Sequence, residues 1–158
     1  MLDADDFFMR EALSEAKIAY SKDEVPVGAV AVFEGVVIAR AHNLVESVGD
    51  ASAHAELLCL RKAAEFLGGW RLGGVTLYST LEPCSLCAGA IFSFRVSRVV
   101  WGAPDLRMGA DGSWIQLLSL NHPMHKVSVE RGVLASESSA LLRAFFQEKR
   151  RRGCGGDI

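Results

Sequence analysis

The chain has 158 residues, half of them hydrophobic, with 17 basic and 19 acidic side chains and a formal net charge of −2. This composition predicts one globular domain with a sizeable core, and the near-neutral charge alone gives no indication of nucleic-acid binding. No apolar run reaches membrane-spanning length and the acidic start lacks the features of a secretory signal, so we expect a cytoplasmic protein with no membrane partner.

The first predicted element is an amphipathic helix, because apolar residues recur at helical spacing between Phe7 and Ile18. Two strands follow at residues 27–33 and 36–41, and Glu34-Gly35 between them indicates a hairpin. A Leu-rich helix then begins at His54, and Gly73-Gly74 separates it from a strand at residues 75–79.

A second buried helix begins near Cys84 and leads to a strand at residues 96–101. Because a helix crosses over between these two strands, we expect them to be parallel. Residues 104–125 are rich in Gly, Asp and His, with a short apolar stretch at 114–120, and a strand at 127–130 follows. A helix from about Ser138 completes a single domain at residues 1–152, while residues 153–158 are expected to form a flexible tail in which Cys154 is an exposed free thiol.

His54, Cys84 and Cys87 are predicted to bind one Zn²⁺ per subunit. Two thiolates and one imidazole suit zinc and leave a fourth tetrahedral position for water, which favours a catalytic site over a structural one. Both motifs open predicted helices, where the helix dipole stabilises thiolates, and the two cysteines share one helical face. Taken separately, His54 could be a structural histidine and Cys-x-x-Cys a redox pair.

Glu56 is the predicted catalytic residue. It lies two residues from His54, a spacing at which helical side chains point in different directions, so its carboxylate stays free for proton transfer. Zinc acidifies its bound water, and Glu56 can accept that proton and later donate it to a ring nitrogen or a departing amine. A solvated glutamate at a helix start is the alternative. The residues by themselves therefore indicate a zinc hydrolase of unspecified substrate.

The chain resembles the TadA-type tRNA adenosine deaminases of the cytidine deaminase-like superfamily nearly from end to end. The similarity lies in the zinc motifs and in residues 24–30, 41–43, 80–84, 87–90, 98–103 and 145–146. It implies an α/β fold of three layers (α/β/α) with a five-stranded mixed central sheet, both zinc-motif helices beneath that sheet, and a homodimer. It also implies zinc-dependent deamination of adenosine to inosine at the first (wobble) anticodon position of a tRNA, mainly an arginine tRNA.

The same resemblance implies binding residues. Asn43 is similar to a family asparagine that contacts the flipped base, although the residue type alone would equally suit a turn at a strand end. Weaker candidates for the pocket and anticodon-loop walls are Pro26, Val27, Ala55 and Asp105. The family's last helix binds the tRNA anticodon stem-loop, and here that helix ends in Lys149, Arg150, Arg151 and Arg152, which could instead only complement the helix dipole.

Ala51 and Phe94 depart from the family pattern, since relatives commonly have proline and a small polar residue there. Two other functions stay open at this point. One is a deaminase of a free base or nucleoside, such as guanine or cytosine, because the zinc chemistry would be the same. The other is a non-catalytic RNA-binding module that contains zinc, against which Glu56 argues.

Further side chains receive simpler interpretations. Cys59 is predicted to be a small buried hydrophobic residue on the Leu-rich helix. Additional basic candidates for RNA contact, each of which could be an ordinary surface charge, are Arg95, Arg98, Arg107 and Arg143. The remaining histidines lack cysteine partners at ligand spacing and are predicted to lie in loops or at the surface: His42, His122 and His125.

Overall fold

The computed structural model describes residues 3–153, so most of the predicted tail, including Cys154, lies outside the described residues. Helices and strands alternate in the order α1 (Ala4–Ser21), β1 (Gly28–Phe33), β2 (Val36–His42), α2 (Val45–Val48), α3 (Ala55–Leu67), β3 (Val75–Leu81), α4 (Ser85–Ser93), β4 (Arg98–Ala103), β5 (Ser128–Arg131) and α5 (Ala135–Arg151). The short helix α2 was not predicted. No helix within residues 3–153 has both the length and the apolar character needed to cross a membrane.

The five strands form one mixed sheet in the order β2-β1-β3-β4-β5. Strand β1 is antiparallel to both of its neighbours, whereas β3, β4 and β5 run parallel to one another. Helices α1 and α5 contact each other and one face of the sheet, while α3 and α4 contact each other and the opposite face. The predicted three-layer α/β/α fold and the parallel crossover through α4 are therefore confirmed.

The hairpin between β1 and β2 turns at Glu34 and Gly35, as predicted. Both residues have positive φ angles, 50° and 78°, and this pair of values is typical of a two-residue type I′ turn. Such a turn matches the right-handed twist of the strands, so the hairpin is favoured by local geometry.

Side chains of β1 alternate between the two faces of the sheet. Ala29 and Ala31 belong to the core beneath α3 and α4, and Val30 and Val32 belong to the core beneath α1. Both faces are buried because helices cover both, which explains why this strand is apolar at nearly every position.

An ion pair joins the beginning of α1 to the start of β4. The Arg98 guanidinium donates two hydrogen bonds to the Asp5 carboxylate, at 2.8 and 2.7 Å, and the Tyr78 hydroxyl donates a third at 2.7 Å. The hydrogen bonds from Arg98 lower the pKa of Asp5. Arg98 was a candidate for RNA contact, but its guanidinium is committed to holding α1 on the sheet.

Candidate active site

The predicted zinc ligands lie at the N-termini of the two helices on the same side of the sheet. His54 is the N-cap residue of α3, and Cys84 is the N-cap residue of α4. Cys87 lies in the first turn of α4 and is fully buried. Strand β3 delivers Cys84 to this point, since Leu81 ends the strand three residues earlier. Both motifs therefore begin helices, as the sequence predicts.

The donor atoms have the spacing that a tetrahedral zinc site requires. His54 Nδ1 lies 3.4 Å from Cys84 Sγ and 3.5 Å from Cys87 Sγ, and all three donor atoms fall within 4.8 Å of one another. Ligands bound at the usual Zn–N and Zn–S lengths are separated by about 3.5 Å along a tetrahedral edge. Among residues 3–153 no fourth His, Cys, Asp or Glu joins the group, so one coordination position would be open.

The two thiols differ in acidity because they are hydrogen-bonded to each other. The hydrogen bond from Cys87, together with the one from His54, lowers the pKa of Cys84 to about 4. The same Cys84–Cys87 bond, together with burial, raises the pKa of Cys87. Zinc binds cysteine as thiolate, so a cation at this site would displace the proton that the pair retains.

Glu56 lies in the first turn of α3 and is only 4% exposed. Burial, followed by the charge of the Cys84 thiolate, raises the pKa of its carboxyl to about 7. Such a pKa lets one group accept a proton and release it again near neutral pH. Glu56 is not one of the three residues whose donor atoms are grouped for a metal.

A cavity of about 360 Å³ opens over these residues. Its walls include all but two of the predicted catalytic, metal and pocket residues, namely His54, Glu56, Cys84, Asn43, Val27, Ala55 and Asp105. Cys87 is absent from the walls because it is buried beneath them. Pro26 is also absent, since Val25 and Val27 face the cavity and side chains alternate along an extended segment. Pro26 does not line this cavity, and its role in substrate binding stays a prediction.

Asn43 is held by backbone groups on two sides. Its Nδ2 donates to the Val25 carbonyl and its Oδ1 accepts from the Val45 N–H, both at 3.4 Å. The residue is 9% exposed and borders the cavity. The amide therefore has a defined orientation toward the cavity.

Two buried carboxylates near the cavity were not predicted from the sequence. Glu24 is fully buried and accepts from the N–H groups of Glu46 and Ser47. Glu82 is 1% exposed and accepts from the N–H groups of Asp105, at 3.1 Å, and Asp111, at 2.8 Å. The available signal was an acidic residue beside apolar residues within the family-like segments 24–30 and 80–84.

A second, larger groove of about 680 Å³ adjoins the cavity and shares Val25, Leu81, Asp105 and Met108 with it. The other wall of this groove is α5, which contributes Leu142, Arg143, Phe146, Gln147, Lys149 and Arg150. The basic end of α5 therefore lies beside the cavity, and Arg107 borders the same groove.

Part of that basic charge is paired within the chain. Lys149 Nζ lies 3.0 Å from the Asp23 carboxylate, and an Arg152 guanidinium nitrogen lies 3.1 Å from it. Both bonds lower the pKa of Asp23, with that from Lys149 having the larger effect. Arg150 and Arg151 form no ion pair with the residues that the structure describes.

The structure also locates Cys59 and the three histidines outside the zinc motif. Cys59 is fully buried and its thiol lies 3.7 Å from the Ala39 carbonyl, as predicted for a core residue. The surface prediction for His42 is wrong, because His42 ends β2 and its ring lies between Glu15 and Lys22 with 13% of the side chain exposed. His122 and His125 are half-buried. The His122 ring stacks on Phe92, and the His125 ring is hydrogen-bonded to the Val96 carbonyl.

The fold and this site define a zinc-dependent hydrolase of the deaminase type. Residues 2–103 match the family model of the cytidine and deoxycytidylate deaminase zinc-binding region. The chain is 49% identical over 148 residues to the tRNA-specific adenosine deaminase of Bacillus subtilis (strain 168), a match that covers 94% of this chain and 92% of that protein. The chain belongs to the tRNA-specific adenosine deaminase family.

Two other relatives agree with this assignment. The chloroplastic tRNA(adenine(34)) deaminase of Arabidopsis thaliana is 50% identical over 159 residues, covering 90% of this chain, which spans only 12% of that longer protein. A solved structure from a study of A-to-I editing by tRNA:A34 deaminases has a TM-score of 0.82 and 45% identity, covering 86% of this chain and 99% of the other. A guanine deaminase from Nitrosomonas europaea is more distant, with a TM-score of 0.76 and 25% identity over 92% of this chain and 86% of that one.

Proposed function

We propose that this enzyme hydrolyses the adenosine at the first anticodon position of a tRNA to inosine, releasing ammonia, and that an arginine tRNA is its main substrate. One observation carries the proposal: a group of three ligand atoms with tetrahedral spacing lies beside a buried, separate carboxylate at the edge of one cavity, in a chain that belongs to this family. The metal site and the Glu56 carboxyl indicate a hydrolytic reaction, and membership of the family indicates the substrate.

The metal ligands and Glu56 have separate roles in the reaction. His54, Cys84 and Cys87 would hold zinc, which would supply a Lewis acid that lowers the pKa of water. Glu56 accepts a proton from the attacking water at its carboxylate and donates it to the purine N1 as the water oxygen bonds to C6. It then takes the second proton from that oxygen and transfers it to the amino group, which leaves as ammonia when the C6–N bond breaks. A buried carboxyl whose pKa lies above its ordinary value is suited to accepting and releasing protons near neutral pH. Water and adenosine thus give inosine and ammonia.

The walls of the cavity hold the base. The fixed amide of Asn43 offers both a donor and an acceptor to polar groups of the nucleoside. Val27 and Ala55 are apolar wall residues, which exclude water from the base, and Asp105 borders the cavity from the segment after β4. These roles follow from the family resemblance together with the position of each residue in the cavity wall.

The anticodon stem-loop is proposed to lie along the groove beside the cavity. The groove continues directly from the cavity, so nucleotides next to the target adenosine can follow it. Arg150 borders the groove and Arg151 follows it at the end of α5, where phosphate oxygens would meet positive charge. Lys149 and Arg152 share Asp23, so their contribution to phosphate binding is expected to be smaller.

The enzyme is proposed to act as a homodimer. The segment between β4 and β5 exposes six large apolar side chains: Leu106, Met108, Trp114, Ile115, Leu120 and Met124. An apolar surface of this kind marks an interaction site, and a second copy of the chain is its proposed occupant. We also propose a cytoplasmic location, where tRNA is found; three free cysteines among the described residues suit a reducing compartment.

Mapping inosine in a tRNA that carries adenosine at the first anticodon position tests the proposed function. Conversion of that adenosine, with a matched tRNA lacking it unchanged, is the expected result. Guanine, adenosine and cytidine supplied as free compounds are measured in parallel, since the guanine deaminase neighbour shares the fold. Turnover of free compounds without inosine in tRNA would contradict the proposal.

A further inference from the structure

We propose that Glu24 is a positioning residue for substrate binding: its buried carboxylate fastens two wall segments of the cavity together and thereby orients Asn43. The inference rests on the proposed function, because it concerns the cavity that receives the adenosine. Glu24 borders neither the cavity nor the groove, and none of the zinc ligands contacts it.

Glu24 is joined to the first of these wall segments by the chain itself. It precedes Val25 and Val27, both of which line the cavity, and its N–H donates to the Ala19 carbonyl at 2.9 Å near the end of α1. The position of the carboxylate is therefore fixed relative to α1 and to the 25–27 segment.

The carboxylate is joined to the second wall segment by hydrogen bonds. The Glu46 N–H donates to both oxygens, at 2.8 and 3.2 Å, and the Ser47 N–H donates to one of them at 3.4 Å. These N–H groups belong to α2, a four-residue helix whose N-cap, Leu44, makes no side-chain capping bond. The Glu24 carboxylate from a distant segment satisfies donors that such a short helix leaves without partners.

The backbone on each side of Glu24 and α2 connects these hydrogen bonds with Asn43. Val45 begins α2, its N–H donates to Asn43 Oδ1, and Val45 and Glu46 also border the cavity. On the other side, the Val25 carbonyl accepts from Asn43 Nδ2. Both hydrogen bonds that orient the Asn43 amide therefore come from residues whose segments are held by Glu24.

Removing the charge should act on binding more than on chemistry. In Glu24→Gln the side chain keeps its size, but an NH₂ donor replaces one acceptor oxygen and faces backbone N–H groups. Because only one uncharged acceptor oxygen remains for the N–H groups of Glu46 and Ser47, α2 should be held less firmly and Asn43 should lose its fixed orientation. The zinc ligands and Glu56 lie on α3 and α4, so bound zinc and proton transfer should be retained.

Steady-state kinetics on tRNA provide the first test. Glu24→Gln is expected to raise KM about tenfold while kcat changes less than about threefold, with one zinc per chain retained. Glu65→Gln, an exposed glutamate on α3, is the matched control and should leave both constants unchanged. A fall in kcat with unchanged KM would overturn the proposal.

A double-mutant cycle distinguishes positioning through Asn43 from a general effect on folding. In an Asn43→Ala background, Glu24→Gln should lower kcat/KM by less than about twofold further, because the residue it orients is already gone. Independent, multiplying effects of the two substitutions would overturn the proposed route.

Amide hydrogen exchange in the wild-type protein keeps the proposal testable if Glu24→Gln fails to fold. The side chains of Glu46 and Ser47 are exposed, yet their backbone amides should exchange at least about tenfold more slowly than in an unstructured peptide. Rapid exchange at both would overturn the proposal. This measurement does not depend on activity, so failure of Glu24 to hold α2 is distinguishable from failure of wild-type protein to form inosine in tRNA.

Discussion

Glu56 and Glu24 are two buried carboxylates with different surroundings and different expected uses. Glu56 borders the cavity beside the Cys84 thiolate, and burial raises its pKa to about 7, so it is suited to proton transfer. Glu24 accepts hydrogen bonds from backbone N–H groups, which stabilise the carboxylate as an acceptor of fixed geometry. Residue type and burial alone do not separate these roles; the hydrogen-bond partners do.

Replacing Glu56 with Ala should leave zinc bound and abolish deamination. The three ligands are untouched, so metal analysis should still find one zinc per chain, while loss of the proton-transfer group should reduce the rate on tRNA at least about 10²-fold. Glu65→Ala, an exposed position on the same helix, should keep full activity. Full activity of Glu56→Ala would show that Glu56 is not the proton-transfer group.

Gly28 should not tolerate a larger residue. A Cβ at this position would overlap the backbone of α1 at Ala12 and Ala16. Because helix and strand backbones cannot yield easily, Gly28→Ala is expected to lower the free energy of unfolding by about 3 kcal/mol. Gly73 is the control, because a Cβ added there would meet no heavy atom within 4 Å, and Gly73→Ala should stay within about 0.5 kcal/mol of wild type in urea denaturation.

At the level of elements, the sequence predicted those with strong local signals. The hairpin and the helices α1, α3 and α4 follow from periodicity, Gly residues and helix-starting motifs. Helix α2 was missed because four residues carry no periodic pattern, and its N–H groups are satisfied by Glu24, which is 22 residues away from Glu46. Helix α5 begins at Ala135, three residues before the predicted start, because the polar residues of its first turn carry no apolar periodicity.

The contact between α1 and β4 should make stability depend on pH. Asp5 has a lower pKa in the folded chain than in the unfolded chain, so its ionised form stabilises the fold above about pH 4, and this stabilisation is lost as the pH falls through the lowered value. Asp5→Asn should therefore lower the free energy of unfolding by about 1–2 kcal/mol at pH 7.

That difference from wild type should shrink toward zero in strong acid, which urea denaturation at several pH values would measure. Asp6→Asn is the control, because it removes the same charge from the first turn of α1 without breaking the Arg98 pair, and it should cost no more than about 0.5 kcal/mol. A pH-independent effect of Asp5→Asn would contradict the electrostatic explanation.

The end of α5 should contribute salt-dependent affinity for tRNA. Substituting Arg150 and Arg151 with Ala is expected to weaken binding and to reduce the slope of log affinity against log salt by about 0.7–0.9 for each phosphate that is no longer neutralised. Binding titrations at several salt concentrations would measure this slope. The paired variant of Arg61 and Arg71, exposed residues of α3 and of the loop that follows it, is the control. An unchanged slope would mean that this basic end only complements its own helix.

On the scale of the whole molecule, one end of the domain combines the cavity, the groove and the exposed apolar segment between β4 and β5. Met108 belongs to all three, since it borders both openings and is 52% exposed. A second chain covering this segment would therefore lie next to the substrate, so assembly and substrate binding are expected to be linked.

Sedimentation should give the wild-type protein a mass twice the 17.1 kDa of one chain. Trp114→Glu should yield single chains, because Trp114 is 60% exposed within the apolar segment and a charge there would have to be desolvated on assembly. Phe66→Glu changes a similarly exposed residue on α3 and should leave the dimer intact. A wild-type mass of one chain would contradict the proposed homodimer.

The sequence by itself determined the candidate zinc ligands, the separate carboxylate and the order of the main elements, because these depend on residue chemistry, on spacing within each motif and on the resemblance to a known family. Only the tertiary structure decided which residues face the cavity, that Pro26 does not, and that Glu24 and Glu82 accept hydrogen bonds from backbone N–H groups of distant segments. It also decided that Lys149 pairs with Asp23, 126 residues away. Such contacts depend on how distant segments approach one another, and local patterns carry no information about that approach.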